Sequence, residues 1–336
     1  MRVNRQLLLA KRPVGEPTPD DFEIAEVDMP APAEGEALVK VLQVSLDPAM
    51  RGWMSDAPSY LPPVGLGEVM RAGTAGVVVE SNSDKLAPGD HVVGVLGVQE
   101  HAVANADGLQ KVDTEMARLA TFLGALGMPG LTAYFGLTEV GDLEEGDTVV
   151  ISGAAGAVGS VAGQVAKAKG AANVIGIAGG PEKCAWLVDE LGFDAAIDYK
   201  NEKVGRRLHE LCPDGINVYF DNVGGDILDA ALANLAWGAR VVICGAISQY
   251  NAEGGMTGPK NYMMLLVKRS RMQGFLVFDY VKQYRDALKE MGGWLAEGKL
   301  QAREVVVEGG LEDFQPTLMQ LFRGENTGKL VLQIAT

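Results

Sequence analysis

The sequence is short of the residues that bind metals and cross-link chains. Three cysteines and three histidines occur in 336 residues. Cys184, Cys212 and Cys244 form no CxxC pair, which excludes both a disulfide framework and a four-thiolate zinc site. Free thiols fit a reducing compartment, so a cytoplasmic location is expected. His91, His101 and His209 are scattered. His209 and Cys212 lie one helical turn apart, but just before Pro213, where a helix end is expected rather than a metal site. Long hydrophobic runs are also missing. Nothing approaches the roughly 20 apolar residues of a membrane span. The opening Met1-Arg-Val-Asn-Arg-Gln-Leu-Leu-Leu-Ala-Lys-Arg12 has an apolar run too short for the centre of a signal peptide. Basic residues are in deficit, 29 against 44 acidic, for a formal charge of −15. That balance repels polyanions and excludes nucleic acid or an anionic membrane as the expected partner. There is no internal repeat and no low-complexity linker.

What is present is a globular composition, 47% hydrophobic and 22% charged. The length allows two domains. The 43 glycines point to tight turns and a backbone-lined ligand site. Residues 2 to about 125 read as short β-branched strands, at 39–44, 75–80 and 91–96, separated by Pro, Gly, Asn and Asp turns. An irregular β domain, barrel-like or sandwich-like, is expected there. From Met116 strands and helices alternate, the pattern of a parallel sheet covered on both faces. Strands are expected at 148–152, 173–178, 195–199, 216–220, 240–244 and 274–278. Helices are expected after Gly156, from Pro181 to Gly192, through Leu228, Ala231, Leu232 and Leu235, and over 281–297. Further β segments are expected at 304–308 and 328–334. The last falls outside the six-strand count and is expected to rejoin the N-terminal β domain. The fold class is α/β, with a six-stranded dinucleotide-binding domain.

The chemistry centres on Thr148-Val-Val-Ile-Ser-Gly153-Ala-Ala-Gly156-Ala-Val-Gly159. A buried strand, a glycine turn and an amphipathic helix follow one another. That context turns a weak glycine pattern into a pyrophosphate site, with bare N–H groups at a helix N-terminus. In this fold the ligand lies between the ends of strands one and four. Asn222 stands at the end of strand four, either to meet the cofactor or to close a βα turn. The end of strand two separates NAD from NADP. An NAD site carries Asp or Glu there to hold the ribose hydroxyls. This chain has Ala178-Gly179-Gly180, with Lys183 on the next helix, an arrangement that favours NADPH.

Several stretches carry a family likeness: Gly127-Met-Pro-Gly-Leu-Thr-Ala-Tyr-Phe-Gly136, Ser152-Gly-Ala-Ala-Gly-Ala-Val-Gly159, Phe220-Asp-Asn-Val-Gly-Gly225, Cys244-Gly-Ala-Ile-Ser-Gln-Tyr250 and Gly324-Glu-Asn-Thr-Gly-Lys329. By these the chain resembles the zinc-independent medium-chain dehydrogenase/reductases. Among them it is similar to the NADPH-dependent double-bond reductases of the prostaglandin, 2-alkenal and curcumin reductase type. The resemblance implies a GroES-like catalytic domain over 1–127, completed by 300–336, and a Rossmann domain over 128–299. It implies an active site in the cleft between them and NADPH as cofactor. It assigns Gly156, Ala157, Val158 and Gly159 to the pyrophosphate and Lys183 and Tyr199 to the 2′-phosphate end. Asn222, Cys244, Gly245, Ala246, Ile247, Ser248, Gln249 and Tyr250 line the cofactor. Phe275, Leu276, Val277, Asn326, Met128 and Thr132 approach the nicotinamide side.

The departures shape the chemistry. Zinc alcohol dehydrogenases of the superfamily carry ligands where this chain has Ser45-Leu-Asp-Pro-Ala-Met-Arg51 and Gly67-Glu-Val-Met-Arg71. No metal is therefore expected. Family tyrosines fall at Ala49 and about Val267 here. Tyr250 becomes the first candidate for a proton donor and Tyr262 the second, against a packing role for each. Residues 55–68, with Pro58, Tyr60, Pro62 and Pro63, read as a loop either over the cleft, with Tyr60 and Trp53 toward an apolar substrate, or packed on itself. The expected reaction is reduction of an α,β-unsaturated ketone or aldehyde by hydride transfer to the β-carbon. The alternatives are a quinone reductase of the same superfamily and a non-catalytic NADPH-binding protein. A zinc alcohol dehydrogenase is disfavoured by the missing ligands. Strand six, read as an apolar edge, is expected to pair with its copy in a homodimer.

Overall fold

The computed structural model describes residues 3–335. The chain divides into two compact units. One holds the chain up to Leu123 and again from Glu304, and the other spans Gly124–Arg303.

The first unit is built on β-branched runs. β1 (Val3–Leu9) and β2 (Phe22–Asp28) form an antiparallel ribbon. β3 (Glu36–Ser45), β4 (Gly73–Ser81), β5 (His91–Val95), β6 (His101–Asn105) and β7 (Gln110–Lys111) belong to a larger sheet. β3 is its spine, pairing antiparallel with both β4 and β6. One turn of helix, α1 (Met50–Trp53), follows β3. Inward residues such as Val39, Val41, Val44, Met50, Met54 and Met70 make the core. Residues 55–68 contain no regular element. They are held by Arg12, whose guanidinium donates to the carbonyls of Met54 and Val64, and by Arg71, which donates to the Pro62 carbonyl and lies 5.7 Å over the Trp53 ring.

The second unit opens with α2 (Met128–Phe135), which runs into a short π-helical turn, Gly136–Val140. β8 (Thr148–Ser152), α3 (Ala157–Ala168), β9 (Asn173–Ala178), α4 (Pro181–Asp189), β10 (Ala195–Asp198), α5 (Val204–Leu211), β11 (Ile216–Asp221), α6 (Gly225–Leu232) and β12 (Leu235–Ile243) follow. α7 (Met263–Lys268), β13 (Arg271–Gly274) and α8 (Tyr284–Ala296) complete it. The six strands are parallel, in the order β10-β9-β8-β11-β12-β13. This is the doubly wound arrangement, and its winding reverses between β8 and β11. Its core packs Val150, Ile175, Ile177, Tyr219, Leu232 and Val241.

The chain then returns to the first unit. β14 (Glu304–Glu308), α9 (Phe314–Arg323) and β15 (Lys329–Gln333) end it. β15 lies between β14 and β3, so the C-terminal strand extends the N-terminal sheet.

Four expectations need correction. Strand six is Arg271–Gly274, not 274–278. Beyond Gly274 the chain leaves the sheet, because Val277 is drawn into a cluster with Leu131, Phe135 and Ala287. The helix expected over 281–297 begins as a 3-10 turn, Val277–Gln283, before α8 proper. Leu235 belongs to β12, not to α6. Helical spacing continues through it by coincidence, while Gly238, at φ +70°, lets β12 start five residues early with an irregular register. α4 stops at Asp189, short of Gly192, where the Leu191 and Glu190 N–H groups both close onto Trp186.

Candidate active site

The sheet presents a crevice at the carboxyl ends of β8 and β11, where helices leave in opposite directions. A buried carboxylate holds it. Asp221, 1% exposed, ends β11. Its Oδ1 accepts the Ser152 hydroxyl at 2.8 Å and the Tyr219 hydroxyl at 3.0 Å. It also accepts the Val223 and Gly224 N–H groups at 3.1 Å each. Burial raises the pKa of Asp221, and these donors oppose the shift. Burial also carries the Tyr219 phenol well above its ordinary value, so it remains a donor.

The glycine turn sits directly on this anchor. Gly153 adopts φ +58°, a conformation that disfavours other residues. At Gly159 a Cβ would lie 2.4 Å from the Gly153 carbonyl, so the helix can approach the strand only with glycine there. α3 starts at Gly156 with no side-chain cap. Gly156, Ala157 and Val158 are half-buried, with the N-terminus of the helix open on that side. These are the features of a pyrophosphate cradle.

Asn222 is used differently from a simple ligand contact. Its N–H donates to Ser152 Oγ at 2.8 Å and its Nδ2 to the Ser152 carbonyl at 2.7 Å. It latches β11 to β8. The loop after β12 hangs from the same point. Cys244 and Gly245 N–H groups donate to the Asp221 carbonyl, Ile247 N–H to that of Asn222, and the Ser248 N–H and hydroxyl to that of Val223. Gln249 accepts the Thr257 N–H and so ties the following loop. Ala246 N–H donates to the Tyr250 hydroxyl at 3.1 Å, and that hydroxyl oxygen rests against Gly245. Burial pushes the Cys244 thiol up to about 12, which removes it as a nucleophile. Tyr262 stands exposed at the start of α7.

The end of β9 carries a second cluster. Gly180, at φ +99°, donates its N–H to Asp198 Oδ1, and Asp198 also accepts the Lys200 N–H and the Asn201 amide. The nearest carboxylate is thereby committed to the backbone. Above Gly179 the Tyr199 ring and hydroxyl and the Lys200 side chain close in, each within about 3 Å of where a Cβ would stand. Lys183 approaches from α4. Burial and the charge of Lys200 lower its pKa. Two lysines crowded together favour an anion between them. Lys200 is not among the residues assigned from the sequence. The signal for it is its place directly after Asp198-Tyr199, at the end of the neighbouring strand.

The remaining assigned residues are dispersed. Met128 and Thr132 lie a turn apart on α2, the Thr132 hydroxyl donating back to the Met128 carbonyl. Phe275 packs beside Gly136 and Phe220. Leu276 caps the turn that follows, and Val277 is buried in the core. Asn326 belongs to the first unit, where its Nδ2 donates to the Gly328 carbonyl. Among the described residues no three His, Cys, Asp or Glu side chains converge as metal ligands. Nor is any helix among them long and apolar enough to cross a membrane.

Architecture and site together define a two-unit nucleotide-dependent oxidoreductase. Residues 5–112 match the family described as the N-terminal domain of oxidoreductase, and 157–293 match that described as zinc-binding dehydrogenase. The chain is 42% identical over 337 residues to the NADPH-dependent curcumin reductase of Escherichia coli, covering 99% of this chain and 97% of that one. It is 38% identical over 330 residues to bovine prostaglandin reductase 1, with 97% of each covered. The solved structure of CurA from Vibrio vulnificus in complex with NADPH superposes with a TM-score of 0.93 at 44% identity, over 99% of each chain. The chain belongs to the medium-chain dehydrogenase/reductases and, within them, to the NADPH-dependent double-bond reductases, with their Rossmann and GroES-like domains.

Replacing the anchor tests the site. Asp221→Asn turns an acceptor of several N–H and O–H groups into a group that also donates. Urea unfolding should show a loss of about 2–3 kcal/mol, and NADPH titration should show weakened binding. Unchanged stability and affinity would contradict the anchoring role.

Proposed function

We propose that the chain uses NADPH to reduce the carbon–carbon double bond of α,β-unsaturated ketones or aldehydes, without a metal. The observation that carries the cofactor choice is the convergence of Tyr199 and Lys200 over Gly179, with Lys183 near enough to feel the charge of Lys200 and Asp198 held by the backbone. Lys183 and Lys200 would hold a 2′-phosphate, and the open turn of Gly156, Ala157, Val158 and Gly159 would hold the pyrophosphate. Asn222 acts by fixing Ser152 and the loop through Tyr250, which supplies backbone groups along the same crevice. NADPH, when bound, supplies the hydride for the β-carbon.

The protein's own part is to position the alkene, exclude water and meet the charge that grows on the carbonyl oxygen. The α-carbon then needs a proton. Tyr250 remains the first candidate for its donor. The Ala246 N–H aimed at its oxygen stabilises the negative charge left there after donation. Tyr262, exposed at the start of α7, is the second. Reduction of a quinone by the same groups is the weaker reading, because the relatives named above are reductases of curcumin and prostaglandin type. Without zinc, an activated alkene is a better acceptor than an alcohol is a donor.

A homodimer through the sheet edge is also proposed. β13 is the last strand of the six and all four of its residues are exposed. The strand is not itself the apolar edge expected from the sequence, since Arg271-Met-Gln-Gly274 is mostly polar. The apolar surface comes instead from its neighbours: Leu266 is 70% exposed, Val267 56% and Trp237 64%. Such exposure is characteristic of a covered surface. Sedimentation should give twice 35.5 kDa at micromolar concentration; monomers alone would remove the dimer.

NADPH oxidation across enals, enones and quinones, with NADH in parallel, tests the function. Enones should be preferred, and Lys183→Ala with Lys200→Ala should raise the KM for NADPH about 10–100-fold and leave that for NADH nearly unchanged. NADPH affinity should also decline as pH rises through the lowered pKa of Lys183, below the ordinary 10.5, because the bound phosphate needs the ammonium. Equal use of NADH by the unaltered protein would contradict the phosphate assignment. Tyr250→Phe should lower kcat by about 10² or more with NADPH affinity retained, whereas Tyr262→Phe should be neutral; the reverse pattern would transfer the role.

A further inference from the structure

The first unit holds a buried cation that the proposed function does not use. Lys329 opens β15 with its side chain 2% exposed. Its ammonium donates to the Leu46 carbonyl at 2.7 Å and to Asp47 Oδ1 at 2.8 Å. The other oxygen of Asp47 accepts the Ser45 hydroxyl. The Asp47 carbonyl in turn receives the Met50 N–H, which starts α1, and the Leu46 N–H reaches the Leu330 carbonyl. On the other side of Lys329, Asn326 closes the turn at Gly328. One side chain therefore knots two distant segments, 45–50 and 326–329, into a single piece.

A hydrophobic side chain of similar length would fill the same space without the desolvation cost of an ammonium. What the charge adds is direction. Its N–H groups fix a backbone carbonyl and a carboxylate together, and two segments of the chain cannot slide past each other without breaking both bonds. Asn326 is the first unit's residue assigned to the nicotinamide side. The turn 45–50 leads into α1 and Trp53.

We propose that Lys329 is a positioning residue for the reduction, holding the 45–50 turn and Asn326 in the register that the substrate requires, through Asp47. This rests on the function proposed above. Lys329 touches neither substrate nor cofactor in this role, and the residues proposed for the pyrophosphate and the 2′-phosphate lie in the other unit. Its loss should therefore spare NADPH binding.

The test uses the full-length protein as Lys329→Met, Lys329→Arg and the double variant Lys329→Met with Asp47→Leu, which removes both charges. Hydrogen exchange should accelerate by about tenfold or more over 45–54 in Lys329→Met and stay unchanged over 148–159. The kcat/KM for an enone should fall about tenfold or more through KM, with the Kd for NADPH within about twofold. Lys329→Arg should recover part of the loss. The double variant should regain thermal stability but not kcat/KM. Unchanged exchange over 45–54, or a double variant with full kcat/KM, would overturn the proposal, because the pair would then be dispensable packing. If the unaltered protein reduces no enone, the functional reading fails separately, and the exchange pattern alone decides whether Lys329 fixes the two turns.

Discussion

The nucleotide crevice depends on one buried carboxylate. Asp221 has a hydroxyl from β8, a hydroxyl from its own strand and two N–H groups of the following turn aimed at it. The ends of parallel strands cannot hold one another by sheet hydrogen bonds, since the ladder stops where the chain turns away. A carboxylate with several acceptor sites can bind all the turning segments at once. Its burial strengthens each bond and makes the group costly to leave unpaired. Ser152, just before the glycine turn, and the loop from Cys244 to Tyr250 are held by Asp221, Asn222 or Val223. Pre-organisation of the crevice thus comes from these contacts within the protein.

Charge is handled in the opposite way at the neighbouring strand end. Asp198 stays ionised, its pKa lowered first by the Gly180 N–H, and its oxygens are occupied by backbone donors from Gly180 and Lys200, while Lys183 and Lys200 bring the positive charge of the cluster. In a chain with a formal charge of −15, a small positive site of this kind attracts a phosphate only at short range.

Much of this architecture is legible in the amino-acid sequence. Five of the six Rossmann strands lie where β-branched runs are bounded by turns, and β8, β9 and β14 match their expected limits. Buried parallel strands are continuous apolar runs, which stand out in sequence. The failures share a cause. Leu235 obeys a helical period but pairs with Ile216 in the sheet, and Val277 obeys a strand pattern but packs against α2 and α8. Local pattern is overruled when tertiary contacts reward another conformation. The glycine cradle is legible because its geometry demands glycine. Lys200 and the use of Asn222 as a latch are not, since each depends on which strand end lies beside it. The same holds for Lys329 and Asp47, which are 282 residues apart in sequence and in contact in the fold.

The proposed reaction carries a hydride from the nucleotide crevice to an activated alkene. The most direct measurement follows the hydride itself, with NADPH deuterated at C4 and an enone as acceptor. The expected product is a saturated ketone with deuterium at the β-carbon and a solvent proton at the α-carbon. An allylic alcohol carrying deuterium at the former carbonyl carbon would contradict it.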